Sequence, residues 1–118
     1  MRLTNNDLGR WGEKRAVNYL QSQDYTILNK NYQINIGEID IIAYKEGQLI
    51  FIEVKTRRSL NYGLPRTAVN FPKQDHIKRV AQYYLLEHSL PKMQLRFDVI
   101  TIIVSENMEN INHFKNAF

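Results

Sequence analysis

This sequence predicts an α/β domain, and three observations support that reading. Apolar and small side chains recur at helical spacing over residues 7–22, the stretch from Tyr25 to Thr56 mostly alternates apolar with polar, and a second helical stripe follows Pro72. The chain has 118 residues, 43% of them hydrophobic, which is enough for one core and too few for two ordinary domains. Residues 1–118 are therefore expected to form a single domain of helices packed on a mixed sheet.

Each element follows in order. Leu8, Gly12, Ala16 and Tyr19–Leu20 form the stripe of the first helix, and Thr4-Asn5-Asn6-Asp7 supplies cap-forming residues before it. Gly9, Gly12 and Ala16 keep part of that stripe small, which permits close approach to a sheet at about 1 kcal/mol of helix propensity for each interior glycine. Strands are expected at about 25–34, 36–44 and 48–56. If Glu46-Gly47 are the two central residues of the second turn, Lys45 faces Gln48, Asp40 faces Glu53 and Glu38 faces Lys55; a longer loop would shift this pairing by one residue. Residues 57–72 read as a loop with a short helix at 66–70. From past Pro72 to about His88, Ile77, Val80, Ala81, Tyr84 and Leu85 make a buried helical face, while Lys78, Arg79 and Gln82 lie outward. Leu95–Val104 reads as a fourth strand with Arg96 and Asp98 on one face. Glu106–Asn110 looks like loop, and Ile111–Phe118 is expected to pack as a short strand or helix through Ile111, Phe114 and Phe118.

The net charge of +4 is unevenly spread. Residues 53–79 hold seven basic and two acidic side chains, whereas the segments on either side are close to neutral. A local basic field suits a polyanion, nucleic acid above all, although a solvated basic face gives the same count. The candidate phosphate contacts are Arg57, Arg58, Arg66, Lys73, Lys78 and Arg79, with Arg57 and Lys73 foremost because one extends a strand and the other opens a helix. Trp11, Tyr62 and Tyr83 are the aromatics freest to stack on bases.

Several classes drop out. No cysteine is present, so disulfides, thiol nucleophiles and thiolate zinc sites are excluded. The start of the chain turns polar at once and the longest apolar stretch is far below spanning length, so a cytoplasmic protein without membrane contact is the expectation. No glycine-rich phosphate loop is present. His76, His88 and His113 have no metal-ligand spacing and read as solvent or cap residues.

Chemistry concentrates in Gly37-Glu38-Ile39-Asp40-Ile41-Ile42 and, thirteen residues after Asp40, Glu53-Val54-Lys55. Carboxylates in strands this apolar are costly unless paired or coordinated. A divalent cation such as Mg²⁺ or Mn²⁺ would relieve the repulsion of two opposed carboxylates, and Lys55, on the same strand face as Glu53, would stabilise developing charge or orient water. The competing explanation is an ion-pair network on a solvated sheet face, Glu38 with Lys55 and Asp40 with Arg57 or Arg96.

The motifs Gly37–Ala43, Phe51–Arg57 and Arg96–Ile100, with the Gly9…Gly12-Glu13…Ala16 helix and the terminal Asn116-Ala117-Phe118, resemble the small bacterial YraN family, also called UPF0102. That is an uncharacterised group with a restriction-endonuclease-like fold. More distantly, the acidic residue, the thirteen-residue step and Glu-x-Lys resemble PD-(D/E)xK nucleases, archaeal Holliday-junction resolvases among them. The resemblance implies that Asp40 and Glu53 are metal ligands with the Val54 carbonyl as a third, that Lys55 is the catalytic lysine, and that Glu13 completes the site from the first helix. Glu38, Arg96 and Asp98 would support it, and an internal Arg96–Asp98 or Asp98–Lys55 pair is the alternative use of those residues. Two departures stand out: no proline precedes Asp40, and Gln33 replaces an arginine frequent in the family. The implied function is Mg²⁺- or Mn²⁺-dependent hydrolysis of DNA phosphodiester bonds, with a homodimer as the geometric expectation for a symmetric junction. The other reading is a nucleic-acid-binding or assembly protein that keeps the fold without turnover.

Overall fold

A computed structural model describes residues 4–58, 70–90, 93–105 and 108–118. Arg66, Tyr62 and most of the helix expected at 66–70 lie outside the described residues. The elements are α1 (Asn5–Ser22), β1 (Thr26–Ile34), β2 (Gly37–Lys45), β3 (Gln48–Arg57), α2 (Phe71–Glu87), β4 (Gln94–Ser105) and β5 (Met108–Phe114). Thr4 caps α1 by accepting a hydrogen bond from the Asp7 amide, and Asn70 caps α2 by accepting from the Lys73 amide.

The strands form one five-stranded sheet in the order β1-β2-β3-β4-β5. Neighbours are antiparallel except β3 and β4, which run parallel and are joined by the crossover that contains α2. This is a mixed central sheet with flanking helices, as the sequence predicts. Each helix covers one face. Ala16 and Leu20 of α1 pack with Ile41, Ala43, Ile50, Ile52, Val54, Ile100 and Ile102, whereas Ile77, Val80, Ala81 and Tyr84 of α2 pack with Tyr32, Ile39, Ile42, Leu49, Phe51 and Val99. The central strands are apolar on both faces because both faces are covered.

The β2–β3 hairpin closes on Glu46 and Gly47, both at positive φ (50° and 80°), the geometry of a two-residue turn that matches strand twist. Its register runs from Lys45↔Gln48 to Ile41↔Ile52, as the sequence predicts, and stops there: the Asp40–Glu53 and Glu38–Lys55 pairings expected beyond it are not part of the ladder, because the Val54 amide is taken by the Asp40 side chain. Gly12 is needed for the α1–sheet contact, since a Cβ there would lie 1.8 Å from Thr56 Oγ1. By contrast, a Cβ on Gly9 would meet nothing within 4 Å, so its smallness is not used for packing.

The last strand departs from expectation. Met108–Asn110, expected as loop, pair with β4 as the start of β5, which runs in register from Ser105↔Met108 to Val99↔Phe114. An edge strand is held largely by its main-chain ladder, and with Met108, Glu109, Asn110 and Asn112 exposed it lacks the alternation that marks a strand in sequence.

Candidate functional site

Regular alternation fails at Asp40. Ile39 and Ile42 belong to the α2-side core, while Ile41 and Ala43 belong to the α1-side core. Residues 39 and 41 would share a face in an unbroken strand, so the pleat slips by one position beside Asp40. On β1 the register brings Asn31 opposite, between Lys30↔Ile41 and Tyr32↔Ile39, and Asn31 sits at φ 52°, in the left-handed region that asparagine tolerates. The paired distortion places the Asp40 carboxylate where the β2–β3 ladder ends. There its Oδ2 accepts a 2.9 Å hydrogen bond from the Val54 amide.

Glu53 lies two residues past Phe51 on β3 and is buried, 3% exposed. Its Oε1 is buried and has no hydrogen-bond partner among the described residues. An unpartnered buried polar atom typically costs about 1–3 kcal/mol, and more when charged. Burial, and then the charge of Asp40, push the Glu53 carboxyl up to about 8, against the weaker pull of Lys73, Lys55 and the Asp40 amide. Asp40 is raised as well, by burial first; the Val54 amide opposes that rise, the Glu38 charge adds to it, and Lys55 and Lys73 draw it back. Glu13, half-buried on α1, is raised by burial, by Asp40 and by Glu38, and lowered by a hydrogen bond with the Asn31 side chain.

Asp40 is the common neighbour: it feels exposed Glu38, Lys55 and Lys73 and raises both Glu53 and Glu13, whereas Glu13 and Glu53 do not perturb each other. Lys73 joins them from the first turn of α2. The sequence predicts it only as a phosphate contact at a helix start; the structure adds that it draws the Asp40 and Glu53 carboxyls down. Asn31 carries no ligating charge, and its only signal in the sequence is its place beside Tyr32 just before Gln33. Among the described residues, no three His, Cys, Asp or Glu side chains stand together as a ready-made metal group.

Arg96 and Asp98 serve each other. The Arg96 guanidinium donates to both Asp98 oxygens, to Gln48 and to the Tyr25 hydroxyl. Asp98, fully buried, also accepts from the Asn116 amide and lies 2.6 Å from His113 Nε2. Burial raises the Asp98 carboxyl, but the hydrogen bonds from His113, Arg96 and Asn116 outweigh it and hold the group below the usual carboxylate range. The internal Arg96–Asp98 alternative is the one that forms. His113 corrects the expectation of a solvent or cap histidine: its side chain is 4% exposed, inside this network, because β5 carries it under Tyr19 and Tyr25. His88 does cap α2, and His76 is exposed.

Of the expected phosphate contacts, Lys78 and Arg79 are exposed on α2, with Arg79 paired to Asp75 at 3.4 Å. Arg57 and Arg58 are half-buried, and Arg58 donates to the Asn5 side chain at the start of α1. Trp11 packs against the α1-side core, whereas Tyr83 is 54% exposed.

Residues 12–102 match the model of the uncharacterised protein family UPF0102. A UPF0102 protein of Clostridioides difficile (strain 630) is 47% identical over 116 residues, covering 98% of this chain and 100% of that relative. The chain belongs to family UPF0102. Another UPF0102 protein, from Dictyoglomus turgidum, is 42% identical over 118 residues, covering 98% of this chain and 100% of its own. Among solved structures, SSO0001 is similar with a TM-score of 0.45 and 20% identity; the match covers 97% of this UPF0102 chain, which spans about half, 53%, of that one. No described helix of this UPF0102 protein is long and apolar enough to cross a membrane.

Proposed function

We propose that this protein is a metal-dependent nuclease that hydrolyses DNA phosphodiester bonds at Asp40 and Glu53. The observation that carries the reading is Glu53: a buried carboxyl with an unpartnered oxygen, set beside a second carboxylate and facing two lysines. A cation removes the cost of that arrangement. The donors fit Mg²⁺ or Mn²⁺, because they are carboxylate oxygens and these ions take one or two carboxylates, with waters and substrate phosphates completing the shell. Bound there, the ion would neutralise the pair and polarise a phosphoryl oxygen.

The chain's own groups do the rest. The Val54 amide fixes the orientation of Asp40. Lys55 holds an ammonium beside the carboxylates, where it orients the attacking water and stabilises charge developing on the phosphate. Glu13, tied to Asn31, closes the site from α1. Arg57, Arg58, Lys73, Lys78 and Arg79 bind the phosphate backbone in a salt-dependent way.

A second reading, nucleic-acid binding without turnover, is favoured by the absence of a three-ligand metal group among the described residues. Incubation with duplex, single-stranded, flap and four-way DNA in Mn²⁺ or Mg²⁺, beside Asp40→Asn and Lys55→Ala proteins, separates the two. Cleavage by the native protein alone is the expected result. Cleavage that survives both substitutions overturns the assignment, and salt-sensitive binding without cleavage favours the second reading. A homodimer on a symmetric junction belongs to the same proposal and is checked by light scattering.

A further inference from the structure

Between α1 and β1 lies an open groove of about 550 Å³ that reaches Glu13 and Asp40. Its size falls within the roughly 300–1,000 Å³ of small-ligand sites. One wall is a single stripe of α1, on which Arg10, Lys14, Asn18 and Gln21 recur at helical spacing, and Lys30 of β1 stands on the other. Val17 and Ile41 contribute apolar surface between them. The stripe from Arg10 to Gln21 extends about 16 Å along the helix axis.

All three cations are exposed, and none makes an ion pair among the described residues, whose salt bridges involve Arg15, Arg79, Arg96 and His113. They lie outside the basic 53–79 segment and on the opposite side of Asp40 from Lys73. Cations at separate positions along a groove match a ligand that repeats its charge, because a single small anion would reach only one or two of them. The amides of Asn18 and Gln21 offer donors and acceptors in the same wall, and the apolar strip suits a sugar or a base face. In a duplex the pairing edges of the bases are occupied by each other; in an unpaired strand they are free to meet such amides.

We infer that the α1–β1 groove holds an unpaired nucleic-acid strand next to the cleavage centre, with Arg10, Lys14 and Lys30 on its phosphates and Asn18 and Gln21 on its bases. The inference rests on the proposed phosphodiester site and adds its substrate class: DNA with a single-stranded segment on the α1 side of the bond to be cut.

The test is equilibrium binding by fluorescence anisotropy in chelator, so that no turnover intervenes. The ligands are a short labelled single-stranded oligonucleotide and the blunt duplex of the same sequence, and the proteins are native, Lys14→Gln/Lys30→Gln and Lys73→Gln. Both lysines changed in the double variant are exposed, so its circular dichroism should match the native protein. The double variant is expected to bind the single strand on the order of tenfold more weakly, with a salt slope shallower by about 1.4, two contacts at about 0.7 each, and to bind duplex unchanged. Unchanged single-strand binding in the double variant, with weaker binding in Lys73→Gln, overturns the groove and leaves the cleavage site standing. Equal losses on both ligands overturn the single-strand assignment. A native protein that binds neither ligand at low salt overturns the nucleic-acid reading itself.

Discussion

The Asp40 carboxylate accepts a 2.9 Å hydrogen bond from the Val54 amide, just past the last paired residues of the β2–β3 hairpin. A side chain thus takes over a main-chain donor at the point where the strands part. The same bond that helps hold the end of the β2–β3 ladder also points a carboxylate into the candidate site.

That double role makes two substitutions behave differently. Asp40→Asn keeps an acceptor for the Val54 amide, whereas Asp40→Ala leaves the donor unpaired, at about 1–3 kcal/mol. Urea denaturation should show the alanine protein destabilised by that amount relative to the asparagine protein, while both lose any Mn²⁺-dependent cleavage. Equal stabilities would mean that the bond contributes nothing to the fold.

Glu53 makes the metal-free protein less stable as pH rises. Its folded value, about 8, lies above the ordinary 4.5, so the native state holds a proton that the unfolded chain has released. The contribution is fully favourable below about pH 4.5, falls through the window up to about 8, and is lost above it. In chelator, native protein should lose stability relative to Glu53→Gln across that window; parallel pH profiles would contradict the burial argument. The same proton must leave when a cation binds, so Mn²⁺ affinity measured by calorimetry should rise with pH over this range, with proton release to the buffer.

Gly12 tests the packing of α1. Its substitution by alanine drives a Cβ into Thr56 Oγ1, and overpacking of this kind costs about 1–3 kcal/mol. Thermal unfolding should show Gly12→Ala destabilised and Thr56→Ala in that background partly restoring it. No recovery would place the strain elsewhere.

Asp98 opposes Glu53 in sign. Its folded value is depressed, so its contribution is present above the ordinary 3.8 and lost as pH falls through the folded value. Asp98→Asn leaves Arg96 without its buried anion, a change that typically costs about 3–5 kcal/mol. A stability loss with unchanged Mn²⁺ binding is expected, and impaired metal binding at equal foldedness would move Asp98 into the site.

What sequence could reveal depended on the range of the interaction. The hairpin register was readable because Glu46-Gly47 defines a two-residue turn locally, and the need for small residues on α1 was readable because Gly12 sits on the buried stripe. The slip at Asp40 was hidden, since Ile39-Asp40-Ile41 has the same apolar-polar pattern whether or not the pleat shifts. Lys73 and His113 were assigned by their local surroundings, yet the groups they act on lie elsewhere in the sequence: the Lys73 charge lowers the Glu53 carboxyl, and His113 bonds Asp98. The edge strand β5 escaped because its main chain, not its side-chain pattern, carries the pairing. Asn31 needed the fold to show that it faces both Glu13 and the distorted strand.

In the proposed mechanism Asp40 and Glu53 hold a divalent cation together. The decisive measurement is anomalous scattering from crystals grown with millimolar Mn²⁺ and a non-hydrolysable single-stranded oligonucleotide. A manganese peak bonded to carboxylate oxygens of both residues, absent in Asp40→Asn crystals, is the predicted result. No peak between them at that concentration, or a peak on other residues alone, would contradict it and leave the two carboxylates as a structural pair.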